Sequence, residues 1–156
     1  MTGTASPAGM VVRMFPQVGS EVMVSCEPAP ARVVSVGPRY VQLEWPWREV
    51  DNSSFFQWDG TFALPYGESQ SEWVPYVTEP AVSELAVGDV CTVSIPRTRL
   101  HVAHYEKYEP ARNLGWSPAP TAGIYVVPEE RMDQEEGGCM LYLGGADPIL
   151  VEPLSE

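Results

Sequence analysis

Valine and polar residues alternate along Val18–Cys26 (VGSEVMVSC), with Val22 and Val24 on one side. A period of two predicts a half-buried strand. Pro28–Pro30 is expected to break it, since proline lacks the amide hydrogen that a ladder needs. Ala31–Val36 (ARVVSV) then reads as a second strand and Gly37-Pro38 as a turn. Tyr40–Trp45 (YVQLEW) sets Tyr40, Gln42 and Glu44 on one face and Val41, Leu43 and Trp45 on the other. Phe55–Trp58 and Thr61–Leu64 flank Asp59-Gly60, a dipeptide that favours a hairpin.

The second half opens on a similar word. Leu85–Ile95 (LAVGDVCTVSI) echoes FPQVGSEVMVS, and a one-residue shift brings the acids Glu21 and Asp89 into line. Leu100–Tyr105 (LHVAHY), Gly123–Val127 (GIYVV) and Cys139–Leu143 (CMLYL) read as further strands, with a proline-dense loop over Glu106–Ala122. Glu129–Arg131 follows Pro128 and suits one helical turn. No segment keeps a helical period over three turns. The expected organisation is a flexible leader at 1–10, a β-unit at 11–67, a connection at 68–81 and a second, related β-unit at 82–154.

The order of strand, short break, strand, tight turn, strand, polar loop and hairpin resembles the small SH3-like barrel. The segments VGSEVMVS, ARVVSV and YVQLEW carry that resemblance. It implies an all-β fold of two SH3-like units with proline-rich loops and little or no helix. This barrel hosts many unrelated functions, so it carries no activity with it.

Sixteen prolines and thirteen glycines, spread along 156 residues, agree with short strands joined by turns. The net charge of −12 disfavours nucleic acid, whose affinity comes from lysine and arginine displacing counterions. The same field suits a basic partner. Eight arginines stand against the single Lys107, which points to a GC-rich genome, such as an actinobacterial chromosome or a virus of such a host. Cys26, Cys91 and Cys139 lie far apart without a CxxC pair, which fits a reducing compartment, and Cys26 and Cys91, each in a valine-rich alternating run, read as buried thiols. A basic leader followed by an apolar stretch is missing, as is any apolar run of about eighteen residues. Cytoplasm, or a virion assembled there, is the expected location, with no membrane contact.

Chemistry-bearing residues are sparse. His101 and His104 are the only histidines, and on a strand their spacing puts them on opposite faces. Glu106, Glu109 and Cys91 are the residues that would complete a metal set or an enzymatic site with them. Ser53 and Ser54 have no histidine nearby and read as a polar turn. Glu129, Glu130, Asp133, Glu135 and Glu136 form one acidic run without a calcium-loop ladder, which reads as solvated. Gly137-Gly138 and Gly144-Gly145 lead into strands or close them, so they read as turns rather than phosphate cradles. Asp51-Asn52-Ser53 comes near the second element of a PilZ-type cyclic-dinucleotide motif. Phe56 stands where its glycine belongs, and Arg32, Arg39 and Arg48 lack the RxxxR spacing.

The aromatic stretch LEWPWREVDNSSFFQWDG has two roles to fill. A small barrel needs large side chains inside, so part of it is core. The remaining aromatics suit a contact edge, where tryptophan, tyrosine and arginine anchor partners. Trp45, Trp47, Arg48, Trp58, Trp73 and Tyr76 are the candidate contact residues. The expected function is non-enzymatic binding without cofactor or metal. A structural or decoration protein of an actinobacterial phage, contacting itself, a capsid or a host protein, is the favoured setting. The alternatives are an acidic inhibitor of a basic nucleic-acid-binding protein, a cyclic-dinucleotide or carbohydrate module with Arg32, Arg39 and Arg48 as anion contacts, and a His/Cys/Glu enzyme.

Overall fold

The computed structural model describes residues 16–66, 72–133 and 137–154. The leader at 1–10, the start of the connection at 68–71, Glu135 and Glu136 lie outside the described residues. The fold is all-β: among the described residues the only helical turns are Val82–Glu84 and Glu129–Arg131, three residues each. No described helix is long and apolar enough to cross a membrane.

Two long strands organise the chain: β1, Glu21–Val36, and β6, Val90–Lys107. Between them come β2 (Tyr40–Glu44), β3 (Glu49–Val50), β4 (Thr61–Pro65) and β5 (Val77–Glu79). After β6 come β7 (Trp116–Ser117), β8 (Ala122–Val127), β9 (Cys139–Leu143) and β10 (Leu150–Pro153). The main sheet runs β4-β2-β1-β6-β8-β9, with β10 added to β1 and β5 added to β6. It curls into a half-barrel. A separate two-stranded ladder joins β3 to β7.

Pro28 and Pro30 do not break the first strand, contrary to the expectation from the sequence. β1 runs through them, because its ladder with β6 shifts register between Val24, Cys26 and Ala29. Bulges tolerate residues without an amide hydrogen, and both prolines face solvent. Pro96 lies midway along β6 in the same way, so Leu85–Ile95 and Leu100–Tyr105 contribute to one strand. The hairpin expected at Asp59-Gly60 is also absent. Phe55–Trp58 is not a strand, and β4 pairs instead with β2, where Val41 opposes Leu64 and Leu43 opposes Phe62.

The pairing repeats on itself. Glu21 opposes His101 and Val22 opposes Leu100, while at the other end of the ladder Arg32 opposes Val90 and Ala31 opposes Cys91. Gly19 donates to Val102 O and Val102 to Ser20 O; correspondingly, Gly88 donates to Val33 O and Val33 to Asp89 O. The bulge between Val33 and Ser35 against β2 has its counterpart between Val102 and His104 against β8. Buried positions follow the same correspondence: Val22, Val24, Cys26, Ala31 and Val33 on β1 match Cys91, Val93, Ile95, Leu100 and Val102 on β6. Ser20, not Glu21, is therefore the counterpart of Asp89, and no one-residue shift is needed. Gly19 and Gly88 both have φ near +90°, a region that glycine reaches without steric cost.

The long β1–β6 ladder joins the strands assigned to separate units into one sheet. The expected connection also contributes: β5 pairs β6 on its outer side, as β10 pairs β1. The core is continuous across this sheet. It contains Val24, Val33, Leu43, Leu64, Val93, Leu100, Ile124 and Leu141, with Trp45 and Tyr76 at one end.

Val24 and Val93 are corresponding residues, each fully buried. Val24→Ala and Val93→Ala should each lower stability by about 2 kcal/mol, from lost methyl burial and the cavity left behind. Urea titration of both variants checks that the two losses agree.

Candidate functional site

The Trp45-Pro46-Trp47-Arg48 turn leaves β2 and carries the chain inward. The Arg48 side chain is only 4% exposed and that of Asp147 only 1%. Arg48 Nε donates to Asp147 Oδ1 at 2.8 Å, and Nη2 donates to Oδ2 at 2.7 Å. This two-pronged geometry is the strongest form of an arginine–carboxylate pair. Aromatic rings enclose it: the guanidinium carbon lies 3.7 Å from the Trp116 ring centre, 5.4 Å from Trp58, 5.8 Å from Tyr142 and 6.0 Å from Trp45. The ring faces offset part of the desolvation of the cation. Asp147 arrives on the connection from β9 to β10, where Ala146 N donates to Pro118 O at 3.1 Å.

Three of the expected contact residues are therefore not available at the surface. Trp45 stacks on Phe62 at 4.2 Å and meets Tyr76 edge-on at 4.9 Å. Both Trp45 and Tyr76 are buried, and Arg48 is consumed by Asp147. These large rings fill core volume that smaller side chains would leave empty. Trp47 is half-buried, edge-on to Trp45 at 5.2 Å, and lines a groove with Cys26, Pro28 and Leu150. Trp58 is half-buried, with Nε1 donating to Thr61 O. Trp73 is half-buried in a second groove, with Tyr66, Val74 and Val82.

Phe55 and Phe56, among the apolar residues that face water, were not among the candidate contact residues read from the sequence. Phe55 is 91% exposed and Phe56 53% exposed, their rings edge-on at 5.4 Å. Val50 is exposed as well. Their loop is hydrogen-bonded from within. Asp51 Oδ1 accepts from Ser53 N and Oγ, Asp51 Oδ2 accepts from Asn113 Nδ2, and Phe56 N donates to Ser54 Oγ. These bonds hold the Asp51 carboxyl below its ordinary value, the Ser53 hydroxyl contributing most. Gly115 backs the loop: its φ is +110°, and a Cβ there would lie 2.9 Å from Phe56 O and Trp58 Cβ. The signal for this site was Phe-Phe after a Ser-Ser turn, with no alternation to bury either ring.

The residues proposed for chemistry do not converge as expected. Glu106 pairs with Arg112 at 3.1 Å and Glu109 with Lys107 at 2.9 Å. Cys91 is buried near the other end of β6 from His101, opposite Ala31. His104 is exposed, opposite Tyr125. His101 instead meets Glu21 and Glu129. Of the three arginines expected to contact an anion, Arg48 is neutralised by Asp147, and Arg32 donates to Gly88 O at 3.3 Å.

Burial pushes the Cys26 thiol up to about 12, with the Asp147 and Glu27 charges adding to it, and burial alone pushes Cys139 to about 12. Tyr76 is raised well above its ordinary value, mainly by burial. Neutral thiols of this kind are poor nucleophiles.

No family model, curated protein or solved structure matches the chain.

Removing one member of the buried pair strands the other, so Arg48→Met and Asp147→Asn should each cost about 3–5 kcal/mol in chemical denaturation. A second expectation concerns alkaline pH. The unfolded chain releases its thiol protons near 9.0, whereas folded Cys26 and Cys139 hold theirs to about 12. The contribution of these two thiols should therefore be constant below pH 9, and stability should fall as pH rises from 9 toward 12. Cys26→Val should shallow that fall, read from urea midpoints across the pH series.

Proposed function

We propose that the protein works by binding another protein, with the Phe55–Phe56 pair as its anchor. The observation that carries this reading is a large apolar pair presented to water on a loop that its own hydrogen bonds hold in shape. Exposed single hydrophobes are common on surfaces, but two adjacent phenylalanines on a hydrogen-bonded loop are suited to filling a partner's pocket. A preordered loop loses little conformational freedom on binding, which favours affinity. Glu49 and Asp59 are exposed on the adjoining segments, and the chain as a whole carries −12. The partner that fits is a protein with an apolar pocket rimmed by basic side chains. A structural component of an assembly such as a phage particle is the setting in which we place it, on the arginine bias and the paired β-units.

We also read the two halves as a duplicated pair of five-stranded SH3-like units that have exchanged their last strands. The mirrored registers of β1 and β6 support this, as does a repeated segment. Pro75–Pro80 (PYVTEP) and Pro148–Pro153 (PILVEP) carry β5 and β10, and each is paired to the first strand of the opposite half.

A photo-crosslinking residue at position 55 tests the binding reading in cells of the source organism. It should yield one defined protein adduct that is missing when the crosslinker is placed at Val87, which is exposed elsewhere. Phe55→Ser with Phe56→Ser should weaken the isolated complex by about tenfold or more while changing stability by no more than about 0.5 kcal/mol. Equal adducts at both positions, or an unchanged affinity in the double variant, would refute the proposal.

A further inference from the structure

Where β1, β6 and the turn after β8 meet, three ligand-type side chains face one another. Glu21 on β1 stands directly opposite His101 on β6. His101 in turn opposes Val127, the last residue of β8, and Glu129 follows two residues later on the turn that Pro128 begins. His101 Nε2 lies 3.3 Å from Glu21 Oε2 and 3.8 Å from Glu129 Oε1. The three ligand atoms all lie within 4.8 Å of one another.

Two features set this cluster apart from an ordinary acidic surface. First, His101 Nε2 is shielded from solvent and has no hydrogen-bond partner. Its contact with Glu21 at 3.3 Å is close enough for a hydrogen bond but does not form one, so Nε2 keeps its bonding capacity beside both carboxylates. Second, the fold does not need these residue types at these positions. The corresponding cross-strand pair at the other end of the ladder is Arg32 and Val90. Equivalent backbone geometry is thus built there without a histidine or a carboxylate.

We propose that Glu21, His101 and Glu129 form a binding site for a divalent transition-metal ion, with Zn²⁺ the best match. Imidazole nitrogen and carboxylate oxygen are both zinc ligands, and imidazole discriminates against calcium and magnesium. Such an ion takes up the lone pair of Nε2 and neutralises both carboxylates. Arg99 Nη1 reaches Glu21 Oε1 only at 3.9 Å, with its side chain mostly in solvent, so it competes weakly. Three protein ligands leave a fourth position for water. The ion would tie the start of β1 to β6 and to the turn after β8, linking both halves at one edge.

The test is equilibrium dialysis of chelator-treated protein against Zn²⁺, read by elemental analysis, with a thermal melt of each sample. Wild type and His104→Ala should each retain about one zinc per chain and melt at a higher temperature with zinc than without. Glu21→Val with His101→Arg installs the residues that the other end of the ladder already carries, so the fold is kept. This double variant should lose zinc affinity by about a hundredfold or more, and its melting temperature should not respond to zinc. If wild type retains no zinc, the proposal fails. It fails equally if the double variant binds as wild type does, or if His104→Ala abolishes binding.

Discussion

The antiparallel ladder between β1 and β6 is the constraint on which the other elements depend. Each strand is too long and too bent to serve one layer alone. Its two ends face different neighbours: β10 and β6 at the start of β1, β2 and β6 at its end. The prolines and register shifts near the centre let both strands change direction without leaving buried backbone groups unpaired, a cost that a continuous flat ladder would incur on bending. Once these two strands are paired, β2 and β4 follow on one side and β8 and β9 on the other.

Arg48 and Asp147 fix what the main sheet leaves loose. The arginine follows β2 and the carboxylate follows β9, so the pair ties together connections that are distant in sequence. Trp116 on β7 covers the guanidinium, and β7 pairs with β3 immediately before the Phe55–Phe56 loop. The position of the exposed Phe55–Phe56 loop is thereby referred to a buried charge. Such pairs add little net stability over a well-packed apolar alternative, but they tolerate almost no misalignment.

Period-two alternation made most strands legible. The faces of β2 were assigned correctly because Val41, Leu43 and Trp45 alternate with polar residues and have only one side to bury. β8 and β9 were equally plain, as was the single turn after Pro128. The continuity of β1 and β6 was hidden, because proline weighs against a strand locally and the bulge that accommodates it depends on a partner far away in sequence. Arg48 was misread for a related reason: an arginine beside tryptophans looks like a surface anchor until its carboxylate, Asp147, is brought in by the fold. His101 was singled out, but its partners Glu21 and Glu129 are neighbours only through the β1–β6 and β6–β8 registers. No spacing along the chain encodes that meeting.

The reciprocal placement of β5 and β10 bears on how the chain emerges from the ribosome. β1 is made early, yet two of its partners, β6 and β10, are made much later. The first half cannot close its sheet as it appears, and the start of its long strand must wait with both edges open, although its end can pair with β2 at once. Contacts between strands so far apart in sequence make for slow folding. Closure must follow synthesis of Leu150–Pro153, the segment that completes β1. During that interval the open start of β1 is the part of the chain most exposed to mispairing.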